Sequence, residues 1–349
     1  MISSVPKFRQ DLIIRCRQTA GTLSFVVKDP ISGNFFRLGE AEEFIAQQLD
    51  GETTLDVIRK RVEERFEAVL PVEMLRAFIR KLEKTDLLET GQRRSRVSNP
   101  RLQGNPLYLR YKLFDPSRLF VRLRSPVECF YSPQFLVLSA VLILLAVGIS
   151  ISNWNRFLAD LPRLYGFSAV LIFITLAFLV VSAHEFAHGL TCTHYGGEVH
   201  EIGFLLIYFQ PALYCNVSDS WLFPEKKKRL WVGIAGPYFE LFLWALAVIA
   251  WRVADHDTWL NYAGLMVMTS SGIKTLLNLN PMMKFDGYYL LSDYLEIPNL
   301  RRKAFRYVGQ WIKRVAGFGA VAEEMPPQSE RRTLFLYGLL ATGGSFIVL

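Results

Sequence analysis

The stretch Val180-Val181-Ser182-Ala183-His184-Glu185-Phe186-Ala187-His188-Gly189-Leu190 closes an apolar run that begins near residue 166. On a helix, His184 and His188 lie one turn apart and project from one face. That spacing lets two imidazole nitrogens meet one tetrahedral metal at about 2.0–2.1 Å. Glu185, beside the first histidine, is placed to take a proton from water activated by such a metal. The chain has only 5 histidines, so an H-E-x-x-H match is a roughly 1% event by chance. Two His and a Glu inside an apolar span are rare without function. A catalytic zinc site has three protein ligands and one open position. Asp286, His194, His200, Cys192 and Cys215 are the candidates for the third.

Outward from this motif the chain reads as a multi-pass membrane protein. Of its 349 residues 51% are hydrophobic and 21% charged, and the mean hydropathy is +0.21. That excludes a disordered chain and disfavours an ordinary soluble enzyme. The four cysteines, Cys16, Cys129, Cys192 and Cys215, form no C-x-x-C pair, and the N-terminus lacks the apolar run of a secretory signal. Spans are expected near 134–152, 166–190, 231–251 and 259–278, each about long enough to cross a ~30 Å hydrocarbon core. A fifth, 333–349, runs to the last residue, as expected of a fragment of a longer protein. Ile202 to Tyr214, interrupted by Pro211, is too short to cross as a helix and reads as strand-like or re-entrant, shielded by other protein.

Lys and Arg in the loops set the orientation. With a cytoplasmic N-terminus, the inner loops after residue 133 hold Lys226, Lys227, Lys228 and Arg229 plus nine more between Lys284 and Arg332. The outer loops hold Arg156, Arg163 and Arg252, so thirteen face three and the N-terminus is expected inside, at a bacterial cytoplasmic membrane. Leu300–Val315 pairs Leu300, Val308, Trp311, Ile312 and Val315 with a basic face, as an interfacial helix would. Residues 91–124, with nine basic side chains against Asp115 alone, are expected to attract anionic headgroups.

Asp286 follows the fourth span in LLNLNPMMKFDGYYLLSD. Counted from residue 166, His184 lies about 27 Å across the membrane, at the same cytoplasmic depth. HEFAH in one span and Asn278-x-x-Pro281-x-x-x-x-Asp286-Gly287 after another resemble the site-2-protease-type intramembrane zinc metalloproteases, and more narrowly their bacterial peptide zinc metalloprotease branch. The resemblance covers about residues 130–349. It implies a zinc ion held by His184, His188 and Asp286, with Glu185 as general base and Asn278 holding or polarising the substrate carbonyl. Pro281 and Gly287 would shape the loop presenting Asp286. Ala235-Gly236-Pro237 matches the family's small-residue helix contact, but Glu240 stands where many relatives carry Asn, and Lys284 interrupts a normally apolar part of the Asp motif. Gly236 also has a full reading as a close helix-packing residue.

Residues 22–90 read as a small α+β, winged-helix-like unit. Ser24–Lys28 and Phe35–Leu38 form a candidate hairpin, and helices follow near 40–49, 54–68 and 72–85. Helix 54–68 carries four charges of each sign, which speaks against a basic recognition helix and against nucleic acid as a partner. The run FVVKDPISGNFFRLGEAEEFIAQQLDGETT resembles the PqqD-like peptide-chaperone domains of the pyrroloquinoline-quinone pathway type. Such domains bind a leader peptide as an extra strand; a purely structural cap is the other reading.

The expected fold is therefore mainly α: a peptide-binding domain at 1–90 (core 22–90), a basic linker at 91–133 and a transmembrane metalloprotease core at 134–349. The expected function is zinc-dependent intramembrane cleavage of a peptide or membrane-protein substrate at the cytoplasmic side, with peptide-modification or export proteins as further partners. The rival is a non-proteolytic peptide-binding subunit with a structural metal. A transporter is disfavoured because the spans show no repeat.

Overall fold

The computed structural model describes residues 5–19, 22–89, 102–105, 108–207, 210–316 and 326–348. The described part of the chain is mainly helical and divides into two compact units, residues 1–103 with 221–224, and 104–220 with 225–349. The basic residues of 91–101, expected to meet lipid headgroups, lie outside the described residues.

The first unit is built on a three-stranded antiparallel sheet in the order β1-β2-β3, with β1 Ile13–Thr19, β2 Thr22–Lys28 and β3 Phe35–Gly39. The expected hairpin is β2–β3, in register Val27↔Phe36 and Phe25↔Leu38, so these four side chains share one face. Its turn is tied by Asp29, whose carboxylate accepts from the Ile31 N–H (3.0 Å) and the Ser32 hydroxyl (2.6 Å), while Gly33 takes a positive φ of 72°. The sequence reading omitted β1. Arg15, Arg17 and Gln18 dilute its apolar alternation, and backbone pairing to β2 holds it instead.

Three helices follow: α1 Glu40–Gln48, α2 Leu55–Phe66 and α3 Val72–Lys84. The Gly39 N–H donates to Glu42 Oε2 (2.9 Å) at the start of α1, whose first turn is acidic, as the helix dipole favours. Glu67 in the left-handed region ends α2. Leu38, Ile45, Leu49, Ile58, Val62, Leu75, Ile79 and Leu82 form one buried core between sheet and helices. Asp50 bridges α1 to α2: its carboxylate accepts from the backbone N–H groups of Glu52 (2.8 Å) and Thr53 (2.7 Å) and from the Thr53 hydroxyl (2.7 Å).

The second unit carries the long helices. After β4 Leu102–Asn105, β5 Tyr108–Phe114 and α4 Ser117–Val127 come α5 Pro133–Ser152, α6 Trp154–Asp160 and α7 Phe167–His194. Next are the hairpin β6 Ile202–Ile207 and β7 Gln210–Cys215, α8 Lys226–Val253 and α9 Trp259–Asn278. Last come α10 Asp286–Leu295, α11 Leu300–Val315 and α12 Gln328–Val348. Among the described residues three helices are long and apolar enough to cross a membrane: α5, α7 over Val170–His194, and α8. The expected fourth and fifth spans form as helices without joining that set. In α9 the run Thr269-Ser270-Ser271 and Lys274 lower the hydropathy; one face, including Gly264, Leu265 and Met268, is buried, while Ile273, Leu276 and Leu277 are exposed. The stretch 202–214 is a hairpin added to β5, with Ile202↔Cys215 through Leu206↔Pro211 paired.

Close helix approach is written into glycines. A Cβ on Gly264 of α9 would fall 2.8 Å from the Ala247 carbonyl oxygen of α8, so these helices meet backbone to backbone. Asp160 accepts from the buried Trp251 indole N–H (2.8 Å), and Asn261 donates to the Trp251 carbonyl (2.7 Å), closing the far end of the α8–α9 pair. At the other end Leu300, Ala304, Leu334, Tyr337 and Ala341 pack α11 on α12.

The three donors to Asp50 hold its carboxyl down at about 2, led by the Thr53 backbone N–H, against an ordinary 3.8. The folded state is thus the stronger acid, and the stabilisation is present above pH 3.8 and lost as pH falls through about 2. Thermal unfolding of wild type and Asp50→Ala should therefore differ at neutral pH and converge between pH 4 and pH 2. A constant gap would show that the carboxylate does not anchor this turn.

Candidate metal centre

The buried centre of the second unit is assembled from four helices, α7, α8, α9 and the first turn of α10. Helix α7 carries His184 and His188 on one face, both buried, at 2% and 6% exposure. Their Nε2 atoms are 3.2 Å apart. Asp286, first residue of α10, brings Oδ2 to 3.0 Å from His184 Nε2 and 3.5 Å from His188 Nε2. Among the described residues, His184, His188 and Asp286 are the group whose donor atoms converge on one point.

Both rings are held from behind by α8. His188 Nδ1 lies 2.7 Å from the Val232 carbonyl oxygen, and a carbonyl only accepts, so Nδ1 carries the proton and Nε2 presents its lone pair. His184 Nδ1 lies 2.8 Å from Glu240 Oε2, with the same consequence when that carboxylate is ionised. Lys274 of α9 donates to the same oxygen at 2.8 Å. Val232, Gly236 and Glu240 are spaced four apart and so form one stripe of α8. Gly236 sits between the two anchors, and a Cβ there would lie 2.3 Å from His188 Nε2 and 2.6 Å from His184 Nε2. Its missing side chain is the room in which the nitrogens converge.

Two lone-pair nitrogens and a carboxylate oxygen, separated by 3.0, 3.2 and 3.5 Å, repel one another unless a cation lies among them. Tetrahedral ligands at 2.0–2.1 Å from one ion are themselves about 3.3 Å apart. The donor set, two imidazoles and one carboxylate, suits zinc, and this group leaves a fourth position open.

Asn278, the last residue of α9, points its amide at the same group: Nδ2 donates to Asp286 Oδ2 at 2.7 Å and lies 3.3 Å from His184 Nε2. Gly287 lets the Asp286 loop close, since a Cβ would fall 2.2 Å from the Leu279 carbonyl oxygen. Pro281 gives its carbonyl to the Tyr337 hydroxyl (3.0 Å), fixing that loop to α12. Glu185 is half-buried on α7 and accepts from the Cys215 backbone N–H at the end of β7. Phe120 of α4 meets the neighbouring Phe186 edge-on (ring centroids 5.3 Å apart, planes at 84°), and a Cβ on Gly189 would strike that Phe120 ring at 2.3 Å.

The other candidate ligands lie elsewhere. His194 stacks on Tyr131 at 4.1 Å, and His200 is exposed beside Asp115 and Glu198. Cys192 is buried, and Cys215 lies against Gly189 with its backbone turned to Glu185. Sequence reasoning noted Glu240 only as a departure and passed over Lys274. An acid and a base inside two apolar helices were the available signal.

No family model and no solved structure matches the chain. One curated relative is YydH of Bacillus subtilis (strain 168), which carries the provisional name peptide zinc metalloprotease protein. It is 24% identical over 139 residues, 40% of this chain and 53% of the relative, so the match spans about half of that protein's length. The likeness is distant and metalloprotease-like.

Gly236→Ala places a methyl group where the ring nitrogens converge. Metal bound per chain in detergent should fall from one to near zero, with the helical content unchanged. Full metal occupancy in that variant would show that the site lies elsewhere.

Proposed function

We propose that the chain is a zinc-dependent intramembrane endopeptidase of the site-2-protease type, acting on a peptide or membrane-associated polypeptide. The observation that carries the proposal is the convergence of three acceptors, His184 Nε2, His188 Nε2 and Asp286 Oδ2, with a general base adjacent in sequence on the same helix. A zinc ion held there supplies Lewis-acid polarisation of a carbonyl and lowers the pKa of water from 15.7 towards ~7. Glu185 accepts the proton of the attacking water on its carboxylate and returns it to the departing amine. Asn278, with its amide on Asp286 Oδ2, holds that carboxylate in place; steadying the developing oxyanion requires the same amide to turn to substrate.

The three apolar helices support a membrane location, and the Lys and Arg distribution supports a cytoplasmic N-terminus at a bacterial inner membrane. The first unit, in this reading PqqD-like, recruits the substrate or its leader peptide. Its sheet order leaves β1 and β3 as edges, which strand addition needs. A three-donor group with an open fourth position favours catalysis over a purely structural metal in a peptide-binding subunit.

Glu185→Gln keeps the shape of the side chain and removes its basicity. Zinc content should stay at one per chain while peptide cleavage falls by about 10²–10⁴-fold. Cleavage at the wild-type rate would overturn the assigned base, and zinc loss would make Glu185 a ligand instead.

A further inference from the structure

Glu240 is completely buried, at 0% exposure, in a helix that is among the most apolar of the chain. A carboxylate there is costly to desolvate unless it is paired. It has two partners on one oxygen. Oε2 receives the Nδ1–H of His184 at 2.8 Å from α7 and the ammonium of Lys274 at 2.8 Å from α9. Lys274 is itself unusual, a lysine near the C-terminal end of a helix whose neighbours Ser271 and Thr275 are buried. Lys274 and Asn278 are four apart and so lie on one face of α9. That face meets the α8 stripe of Gly236 and Glu240 at the His184 ring.

The two histidines are therefore anchored unequally. His188 leans on the neutral carbonyl of Val232, whereas His184 leans on a carboxylate whose charge is balanced by Lys274. We propose that Glu240, balanced by Lys274, is a positioning residue that keeps the proton of His184 on Nδ1 and its Nε2 lone pair directed at the metal. A hydrogen bond to an ionised acceptor is shorter and stronger than one to a neutral acceptor. It fixes the tautomer and the ring rotation and raises the donor strength of the opposite nitrogen. Lys274 places its ammonium on the same carboxylate oxygen that receives the His184 ring N–H, which fixes the carboxylate in position. Neither residue touches substrate in this scheme. Both act through His184, and the scheme rests on the metal-site reading given above.

The test is zinc affinity by chelator competition on the full chain in detergent, with helical content and elution as monodisperse protein as the control for folding. Removal of such a partner behind a metal-bound histidine typically costs about 10–100-fold in affinity. Glu240→Ala should lose that much. Glu240→Gln, which retains an acceptor oxygen for the imidazole N–H, should lose less. Lys274→Met should weaken zinc in the wild-type background and add nothing to Glu240→Ala, since its effect passes through the carboxylate. The absorption spectrum of the cobalt-substituted protein should shift in Glu240→Gln, because the donor strength of His184 changes while the ligand set does not. Unchanged affinity and unchanged cobalt spectrum in folded Glu240→Gln and Glu240→Ala would overturn the inference and reduce the pair to a tie between α8 and α9. So would additive losses in the double variant. Should Glu240→Ala not fold, Lys274→Met and Glu240→Gln carry the same comparison. A wild-type protein that takes up no zinc would instead overturn the metal-site reading itself.

Discussion

The structure depends on the mutual repulsion of three acceptors being resolved at one point. His184 Nε2, His188 Nε2 and Asp286 Oδ2 stand 3.0–3.5 Å apart, and each is fixed from behind. Two groups on α8, the Val232 carbonyl and the Glu240 carboxylate, hold the Nδ1 sides. Asn278 holds Asp286. The surrounding helices carry this arrangement as a fixed geometry, to which a bound cation would be matched.

That geometry accounts for where the helices come closest. Gly236 is the point at which α8 meets the two imidazoles, and any side chain there would occupy the space between the nitrogens. Gly264 brings α9 against α8, which delivers Lys274 and Asn278 to the same cluster from the opposite side. Gly287 lets the loop after α9 turn back so that Asp286 opens α10 within reach of the histidines. Two of the acids inside the apolar bundle are paired: Glu240, through Oε2, with Lys274 and His184, and Asp160 with Trp251. This is the pattern expected where water is scarce.

The first unit follows soluble-protein rules. Its helices bury regularly spaced apolar residues, and its turns are tied by Asp29 and Asp50 through side-chain acceptance of backbone N–H groups. The helix boundaries 40–49, 54–68 and 72–85 read from periodicity fall within two residues of Glu40–Gln48, Leu55–Phe66 and Val72–Lys84. Strand β1 escaped that reading because arginines interrupt its pattern, and its place is set by pairing with β2.

The sequence by itself determined the helical periodicities, the apolar runs and the His184–His188 spacing, since each is a property of neighbours along one chain. It also marked Asp286 as a candidate ligand, though four other residues stood beside it. The family resemblance already favoured Asp286; the tertiary structure brings it across 102 positions of sequence to His184 and leaves His194 and His200 with Tyr131, Asp115 and Glu198. Among the described residues three of the helices at the five expected spans are long and apolar enough to cross a membrane, and helices form at the other two places as well. The sequence marked Gly236 as a helix-packing residue and Glu240 as a departure from relatives, but not that Gly236, Glu240 and Lys274 meet at the His184 ring. A glycine, an acid and a base acquire meaning there only from the distance between helices, which no local pattern encodes.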